Sequence, residues 1–137
     1  MKFLTLNTHS WMEKEAEEKF NLLLQDILDK NYDLICFQEV NQEITSPEVK
    51  VDDYYKALPS AEPIHQDHYV RFLVEKLAES GRNYYWTWSY NHIGYDRYHE
   101  GVAILSKTPI EAREVLVSDV DDPTDYHTRR VALAETV

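Results

Sequence analysis

The sequence has one cysteine and only three glycines among its 137 residues. A single cysteine excludes an intrachain disulfide, and it also excludes a zinc site built on several cysteine thiolates. Cys36 lies in the apolar run 34–37. We therefore predict a buried structural thiol there, because free cysteines are among the most buried residues. With so few glycines, we do not expect long flexible loops to dominate the chain.

Positive charge is also scarce. Lys and Arg number 14 against 25 Asp and Glu, which gives a formal net charge of -11. A protein that binds a nucleic acid backbone usually offers a basic surface, because Lys and Arg replace the condensed counterions. The acidic balance therefore argues against a simple nucleic-acid-binding module. The acidic charge is compatible with a metal enzyme, in which a bound cation makes the local electrostatic potential positive.

Long hydrophobic runs are missing as well. No stretch approaches the roughly 20 apolar residues of a membrane-spanning helix. The opening segment 1–7 is too short to be the apolar core of a signal peptide. We therefore expect a cytoplasmic protein without a membrane span. The chain does have an ordinary globular composition, since 43% hydrophobic and 28% charged residues predict one packed domain or part of one.

Hydrophobic periodicity predicts alternating strands and helices. Residues 2–7 alternate as a strand, residues 13–30 repeat apolar side chains at helical spacing, and residues 33–38 form a strand that is apolar on both faces. A second helix is predicted at 67–80, a polar loop rich in tyrosine and histidine at 91–100, and further strands at 84–89, 102–105, 111–117 and 130–137. Strand, helix and buried strand in this order favour a crossover unit and an α/β fold, with one mixed sheet and flanking helices.

Polar side chains stand where the first two predicted strands end. Asn7 closes the first strand, and Glu39 follows the second. Sites in open α/β sheets form beyond the carboxyl ends of parallel strands, so we expect these two side chains to lie near each other. An amide oxygen and a carboxylate suit a hard cation such as Mg²⁺ or Mn²⁺.

Three segments together carry a family resemblance. They are Leu-Asn-Thr-His at 6–9, Asp-Leu-Ile-Cys-Phe-Gln-Glu-Val at 33–40 and Glu-Gly-Val-Ala-Ile-Leu-Ser at 100–106. In this order and spacing they resemble the first three signatures of the endonuclease/exonuclease/phosphatase superfamily. That group includes deoxyribonuclease-I-like nucleases, abasic-site endonucleases, bacterial sphingomyelinases and inositol-phosphate phosphatases. The resemblance covers essentially the whole chain.

The resemblance implies roles for three residues. Glu39 would bind the catalytic divalent ion, Mg²⁺ or Mn²⁺, and Asn7 would lie beside it, where it contacts metal-bound water or a phosphate oxygen. Glu100 would support a catalytic histidine or contact the phosphate, although Tyr98 and His99 fall near the same place and the register stays open. Plainer alternatives are a turn role for Asn7, a solvated strand-end carboxylate for Glu39 and a surface role for Glu100.

Other residues near these segments have two interpretations. The loop tyrosines, with His92 and Arg97, could form a stacking wall at a substrate site, while alternate aromatic residues of the preceding strand enter the core. For Arg129 and Arg130 we favour pairing with nearby acids over clamping a phosphate. For His9 we favour an ordinary polar loop histidine.

The superfamily's remaining catalytic parts do not occur in this sequence. They lie in a Gly-Asp-x-Asn type segment and a terminal Ser-Asp-His type segment of the second half of the fold. We therefore expect residues 1–137 to be the N-terminal half of a four-layer α/β sandwich, from a truncated enzyme that lacks its general base. The inner sheet face would be exposed, and we expect self-association through it, which light scattering would detect.

These inferences lead to a functional expectation. The full-length protein should hydrolyse phosphate esters with a divalent metal, as a phosphodiesterase, nuclease or sphingomyelinase-like enzyme, and the fragment should be inactive. The alternative is a non-catalytic module that keeps the fold for protein binding, which the acidic charge and the absent second half support. The fold does not choose between nucleic acid, lipid head groups and small phosphate esters as substrates.

Overall fold

Six strands and two α-helices form in the computed structural model, which describes residues 1–137. In chain order they are β1 (Phe3–Asn7), α1 (Ala16–Lys30), β2 (Leu34–Glu43), α2 (Tyr69–Glu79), β3 (Tyr85–Gly94), β4 (Tyr98–Ser106), β5 (Ile110–Leu116) and β6 (Arg130–Thr136). One sheet has the strand order β1-β2-β4-β3, and β5 pairs with β6 in a second sheet. The predicted α/β class, with one mixed sheet and flanking helices, is confirmed.

The β1-α1-β2 unit brings two strand ends together. Helix α1 buries Phe20 and Ile27 and stops at Asn31, which takes the left-handed conformation with φ 57° and donates its N–H to the carbonyl of Ile27. The chain then returns as β2, which runs parallel to β1 with Asn7 opposite Gln38. The carboxyl end of β1 therefore lies beside the part of β2 that carries Glu39.

The main core lies between the four-stranded sheet and the two helices. Ile35 and Phe37 of β2 and Trp88 of β3 are fully buried, as are Leu73 and Leu77 of α2. Each such side chain contributes about 1.5–3 kcal/mol through burial of apolar surface. Neither helix is long and apolar enough to cross a membrane.

The opposite face of the sheet is only partly covered. Cys36 lies on this face between Thr5 of β1 and Ile104 of β4, and it is half-buried. The prediction of a buried thiol was therefore wrong, because the run 34–37 is buried on one face only; partial burial still raises the pKa of the Cys36 thiol. At the edge of the same face, Phe3 is 64% exposed.

The segment predicted as a polar loop at 91–100 is a β-hairpin. Strand β3 runs to Gly94, β4 begins at Tyr98, and Tyr95 and Asp96 form the turn with φ 54° and 53°. The N–H of Arg97 donates to the carbonyl of Gly94 at 3.0 Å, which closes a type I′ turn. The loop prediction was wrong because the hairpin buries polar side chains, which hide the strand pattern: Asn91, His92 and His99.

A buried histidine makes the stability of the fold depend on pH. His68 is fully buried, and its Nδ1 accepts the N–H of Arg71 at 3.2 Å at the start of α2. Its ring packs against Trp86 and Trp88, with centroid distances of 5.2 and 4.7 Å. Burial lowers the pKa of His68 from 6.5 to about 3. The charged form is therefore strongly disfavoured in the folded chain.

We expect the free energy of unfolding to fall as the pH drops from about 6.5 towards 5. The unfolded chain binds a proton at this histidine near pH 6.5, whereas folded His68 stays neutral down to about pH 3. One histidine that titrates only in the unfolded chain lowers the free energy of unfolding by up to about 1.4 kcal/mol for each pH unit below its unfolded pKa. Urea unfolding at pH 7, 6 and 5 measures the slope.

The matched variants are His68→Asn, which keeps a neutral capping side chain, and His127→Asn, which changes an exposed histidine. His68→Asn should flatten the slope, and His127→Asn should keep it. Equal slopes in the wild type and His68→Asn would show that His68 does not titrate in this way.

Candidate functional site

Glu39 lies in a bulge of β2. The pairing between β2 and β4 shifts between Phe37 and Val40, and Glu39 takes a left-handed backbone conformation with φ 53°. Bulges redirect side chains and are frequent next to active sites. A non-glycine residue in this conformation costs about 1–2 kcal/mol, so other contacts must hold it.

Hydroxyl groups from the turn after β1 hold the bulge. Ser10 Oγ donates to the carbonyl of Glu39 at 2.6 Å, and Thr8 Oγ1 donates to the same oxygen at 3.1 Å. Ser10 Oγ also accepts the N–H of Asn41 at 3.1 Å. Both hydroxyl-bearing residues are buried. The bulge and the turn after β1 therefore form one hydrogen-bonded unit, which fixes the backbone position of Glu39.

The carboxylate of Glu39 is accessible and is not held by Lys or Arg. Its side chain is 40% exposed, and its Oε2 lies 3.9 Å from Nε2 of His9. The other ring nitrogen of His9 contacts the Glu13 carboxylate at 3.0 Å. Hydrogen bonds from Lys19, and then from His9, lower the pKa of Glu13. His9 therefore stands between two carboxylates, which the sequence alone did not suggest.

Asn7 lies on the neighbouring strand, opposite the residue that precedes Glu39. Its Oδ1 accepts the N–H of His9 at 3.1 Å, so the amide oxygen shapes the turn that follows β1. This contact is the turn role that the sequence left open for Asn7. The amide group also lies at the strand end that the metal prediction requires.

Glu100 pairs with a histidine that sequence reasoning did not assign to catalysis. In the β3–β4 pairing, His92 lies opposite Glu100, and its Nε2 is 3.3 Å from Oε2 of Glu100. The His92 and Glu100 side chains are 6% and 17% exposed. Nδ1 of His92 lies 3.0 Å from Nη1 of Arg129. The same Nδ1 lies 3.1 Å from the carbonyl oxygen of Thr128, so His92 links Glu100 on β4 to the 128–129 segment of the β5–β6 loop.

Glu39, His92 and Glu100 line one cleft of about 510 Å³. The tip of the β3–β4 hairpin, with Tyr95 and Asp96, forms part of its wall. The β5–β6 loop adds further lining residues: Thr124, Tyr126 and Arg129. The structure thus brings together two of the three predicted site residues, Glu39 and Glu100. The third, Asn7, does not line this cleft.

Arg129 supplies the cationic side chain of this cleft. Its Nη1 donates to the carbonyl of Thr128 at 3.0 Å and to that of Tyr126, and no carboxylate lies within ion-pair distance. Arg130 instead pairs with Asp121 at 2.6 Å. The expected pairing with acids is therefore correct for Arg130 and wrong for Arg129. An arginine without an acidic partner can bind an anionic group of a ligand.

The chain's own metal ligands are few. No three His, Cys, Asp or Glu side chains lie close enough together to hold a metal ion. The carboxylate of Glu39 is accessible and would act as a single protein ligand. Such a site fits Mg²⁺, which keeps several of its waters and binds through one or two carboxylates.

Comparisons with known proteins agree with the fold of the chain. A sequence profile described as the Endonuclease/Exonuclease/phosphatase family matches residues 11–137. The chain is similar to an endonuclease/exonuclease/phosphatase family protein from Leptotrichia buccalis C-1013-b, with a TM-score of 0.82 and 33% sequence identity over 96% of this chain. An endonuclease/exonuclease/phosphatase from Beutenbergia cavernae DSM 12333 shares the fold, with a TM-score of 0.52 and 16% identity over 83% of this chain. None of the curated protein sequences matches significantly.

The chain spans only part of these two similar structures. It covers 47% of the Leptotrichia buccalis protein and 28% of the Beutenbergia cavernae protein.

Proposed function

Because the chain belongs to the endonuclease/exonuclease/phosphatase family, we propose that the protein containing it hydrolyses phosphate esters with Mg²⁺ or Mn²⁺. Membership of the family suggests hydrolysis of phosphate esters. The observation that carries the finer proposal is the cleft in which the accessible carboxylate of Glu39 faces the same space as Glu100 and Arg129.

Each polar group of the site has a proposed task. Glu39 holds the divalent ion, which supplies positive charge to the phosphoryl oxygens and the leaving group. Glu100, oriented by His92, contacts the phosphate or supports a histidine of the site. Asn7 lies outside the cleft, so its Oδ1 holds the turn after β1 while its amide nitrogen donates to a water of the ion that Glu39 would hold. Arg129 neutralises part of the negative charge of the substrate.

We further propose that residues 1–137 are the N-terminal half of the catalytic domain and that this half alone is inactive. The fraction of the Leptotrichia buccalis protein that the chain covers, 47%, supports this division. The partly covered sheet face supports self-association of the isolated half through its apolar side chains. Nucleic acid, lipid head groups and small phosphate esters all remain candidate substrates of the whole protein.

A non-catalytic binding module is the competing function. Such a module needs no accessible carboxylate in a cleft beside an arginine without an acidic partner. The arrangement of Glu39, Glu100 and Arg129 therefore favours catalysis over the binding module.

A metal-removal experiment tests the proposed function. The protein containing this chain should hydrolyse bis(p-nitrophenyl) phosphate with Mg²⁺ or Mn²⁺, and a chelator should lower the rate by at least about 100-fold, since the ion stabilises charge by several kcal/mol in the transition state. Adding back Mg²⁺ or Mn²⁺ should restore the rate, and K⁺ should not. Hydrolysis that continues unchanged in excess chelator would reject the proposal.

A further inference from the structure

Tyr95 stands at the tip of the β3–β4 hairpin without support from the rest of the chain. It is 77% exposed, and it occupies a left-handed turn position with φ 54° that asparagine or glycine fills more easily. Its ring stacks on no other aromatic ring, and its hydroxyl makes no hydrogen bond. The side chain therefore adds little to folding stability, although it lines the cleft that contains Glu39 and Glu100.

Tyr126 reaches the same cleft from a different element, the β5–β6 loop. It is 60% exposed. His127 stacks on its ring with a centroid distance of 4.1 Å, and the Arg129 guanidinium lies 5.8 Å from the ring centre. The loop is shaped by local contacts, since Asp125 accepts the N–H of His127 at 2.9 Å. Tyr126 is thus held by its neighbours and still exposes most of its surface.

We propose that Tyr95 and Tyr126 form an aromatic clamp that binds a planar ring carried by the phosphate-ester substrate. This inference rests on the proposed function and names the substrate class that the site selects. Two exposed phenol rings from separate elements line the same cleft as Arg129, which has no acidic partner, and this combination suits a ligand in which a flat ring is joined to a phosphate. Stacking of such a ring on an aromatic side chain contributes about 1–3 kcal/mol, and it tolerates different bases because every base has a π-face.

The charge of the clamp argues against a quaternary ammonium group in the same place. Aromatic rings also bind such cations. The Arg129 guanidinium already lies against the ring of Tyr126, however, so a second cation there would meet like-charge repulsion. A neutral flat ring meets no such repulsion, and it can also stack on the guanidinium plane.

Hydrolysis of a matched substrate pair tests the clamp. The pair is dithymidine phosphate and the corresponding dinucleotide analogue with tetrahydrofuran in place of both nucleosides, so the two compounds differ in their bases and share the phosphodiester. In the Mg²⁺-loaded protein containing this chain, Tyr95→Ala and Tyr126→Ala should each lower kcat/KM about tenfold on the dithymidine compound. Each should change the rate on the base-free compound by less than about twofold. Tyr95→Phe and Tyr126→Phe keep the rings and should retain the wild-type preference.

Three kinetic results would overturn the clamp. They are equal losses on both compounds, no loss on either, and faster wild-type hydrolysis of the base-free compound. A larger loss on a phosphocholine ester than on the dithymidine compound would assign the rings to a cation instead.

A binding measurement separates failure of the clamp from failure of the proposed hydrolysis. If the wild-type protein cleaves neither these compounds nor bis(p-nitrophenyl) phosphate, the hydrolase proposal fails. Calorimetry with uridine 5′-monophosphate and ribose 5-phosphate in Mg²⁺ then tests the clamp by itself. The nucleotide should bind about tenfold more tightly than the sugar phosphate, and Tyr95→Ala should remove the difference. Equal affinities in the wild-type protein would overturn the clamp.

Discussion

Replacing Glu39 with Gln should lower the rate of phosphodiester hydrolysis by at least about 100-fold in the protein that contains this chain. Gln keeps the size of the side chain and one oxygen, but it removes the negative charge that attracts a hard divalent cation. Loss of stabilisation worth about 3 kcal/mol in the transition state corresponds to a rate loss of this size. The variant should also bind Mn²⁺ more weakly, which calorimetry or electron paramagnetic resonance measures.

The matched control is Glu43→Gln. Glu43 lies on the same strand, and its carboxylate pairs with Arg97 on the hairpin rather than facing the cleft. An exposed ion pair contributes about 0–1 kcal/mol, so we expect this variant to keep most of its activity and its Mn²⁺ affinity. If Glu39→Gln turns over at the wild-type rate, or if both variants lose activity equally, Glu39 is not the metal ligand.

The fold elements that the sequence predicted well are those with strong periodicity on one face. Helix α1 repeats apolar residues at helical spacing, and its predicted span of 13–30 ends at the same residue as the observed helix, Ala16–Lys30. Strand β2 was predicted as buried at 33–38, but it continues to Glu43. The extension was missed because the bulge at Glu39 interrupts the alternation, and the following Asn41 and Gln42 are buried polar residues. Periodicity reports which face is apolar, and it says little about polar residues that find partners inside the fold.

The candidate site was predictable only where it depends on strand ends. Asn7 ends β1 and lies opposite Gln38, the residue before Glu39, so the closeness of these two backbone positions could be argued from topology. The contact between His92 and Glu100 depends on the register of a hairpin whose turn was not recognised. Arg129 reaches the cleft because the β5–β6 loop returns to the end of β3, where the carbonyl of Pro123 accepts the N–H of Ile93. Such a path leaves no periodic signal in the sequence. The Tyr95-Asp96 turn lacks the glycine that usually marks a two-residue hairpin.

Gly101→Ala should destabilise the folded chain by about 3 kcal/mol or more, or prevent folding. A Cβ atom at this position would lie 2.1 Å from the carbonyl oxygen of Ser89 and 2.9 Å from Nε1 of Trp88. Gly101 pairs with Val40 on one side and Tyr90 on the other, and both pairings shift register next to it. The strands on both sides of β4 therefore crowd the backbone at this residue. Ser89 presents backbone rather than a flexible side chain, so the clash cannot be relieved by a rotamer change.

Trp88 also cannot move to make room for a Cβ atom at position 101. Its Nε1 donates to the carbonyl of Val40 at 3.2 Å, and its side chain is fully buried. A movement of the indole away from a new Cβ would break this hydrogen bond and leave a buried donor without a partner, which costs about 1–3 kcal/mol. The glycine that follows Glu100 is therefore required by packing against the neighbouring strand, independently of any catalytic role of Glu100.

Gly94→Ala is the matched control for this prediction. The Cβ of that variant would meet Oε2 of Glu100 at 3.5 Å, an ordinary contact with the end of a side chain, and Gly94 is not among the residues with positive φ. We expect Gly94→Ala to change the free energy of urea unfolding by less than about 1 kcal/mol. Equal stability of the two variants would mean that β3 can move away from β4 at Ser89. In that case the sheet would not hold the opposed His92 and Glu100 side chains in a fixed register.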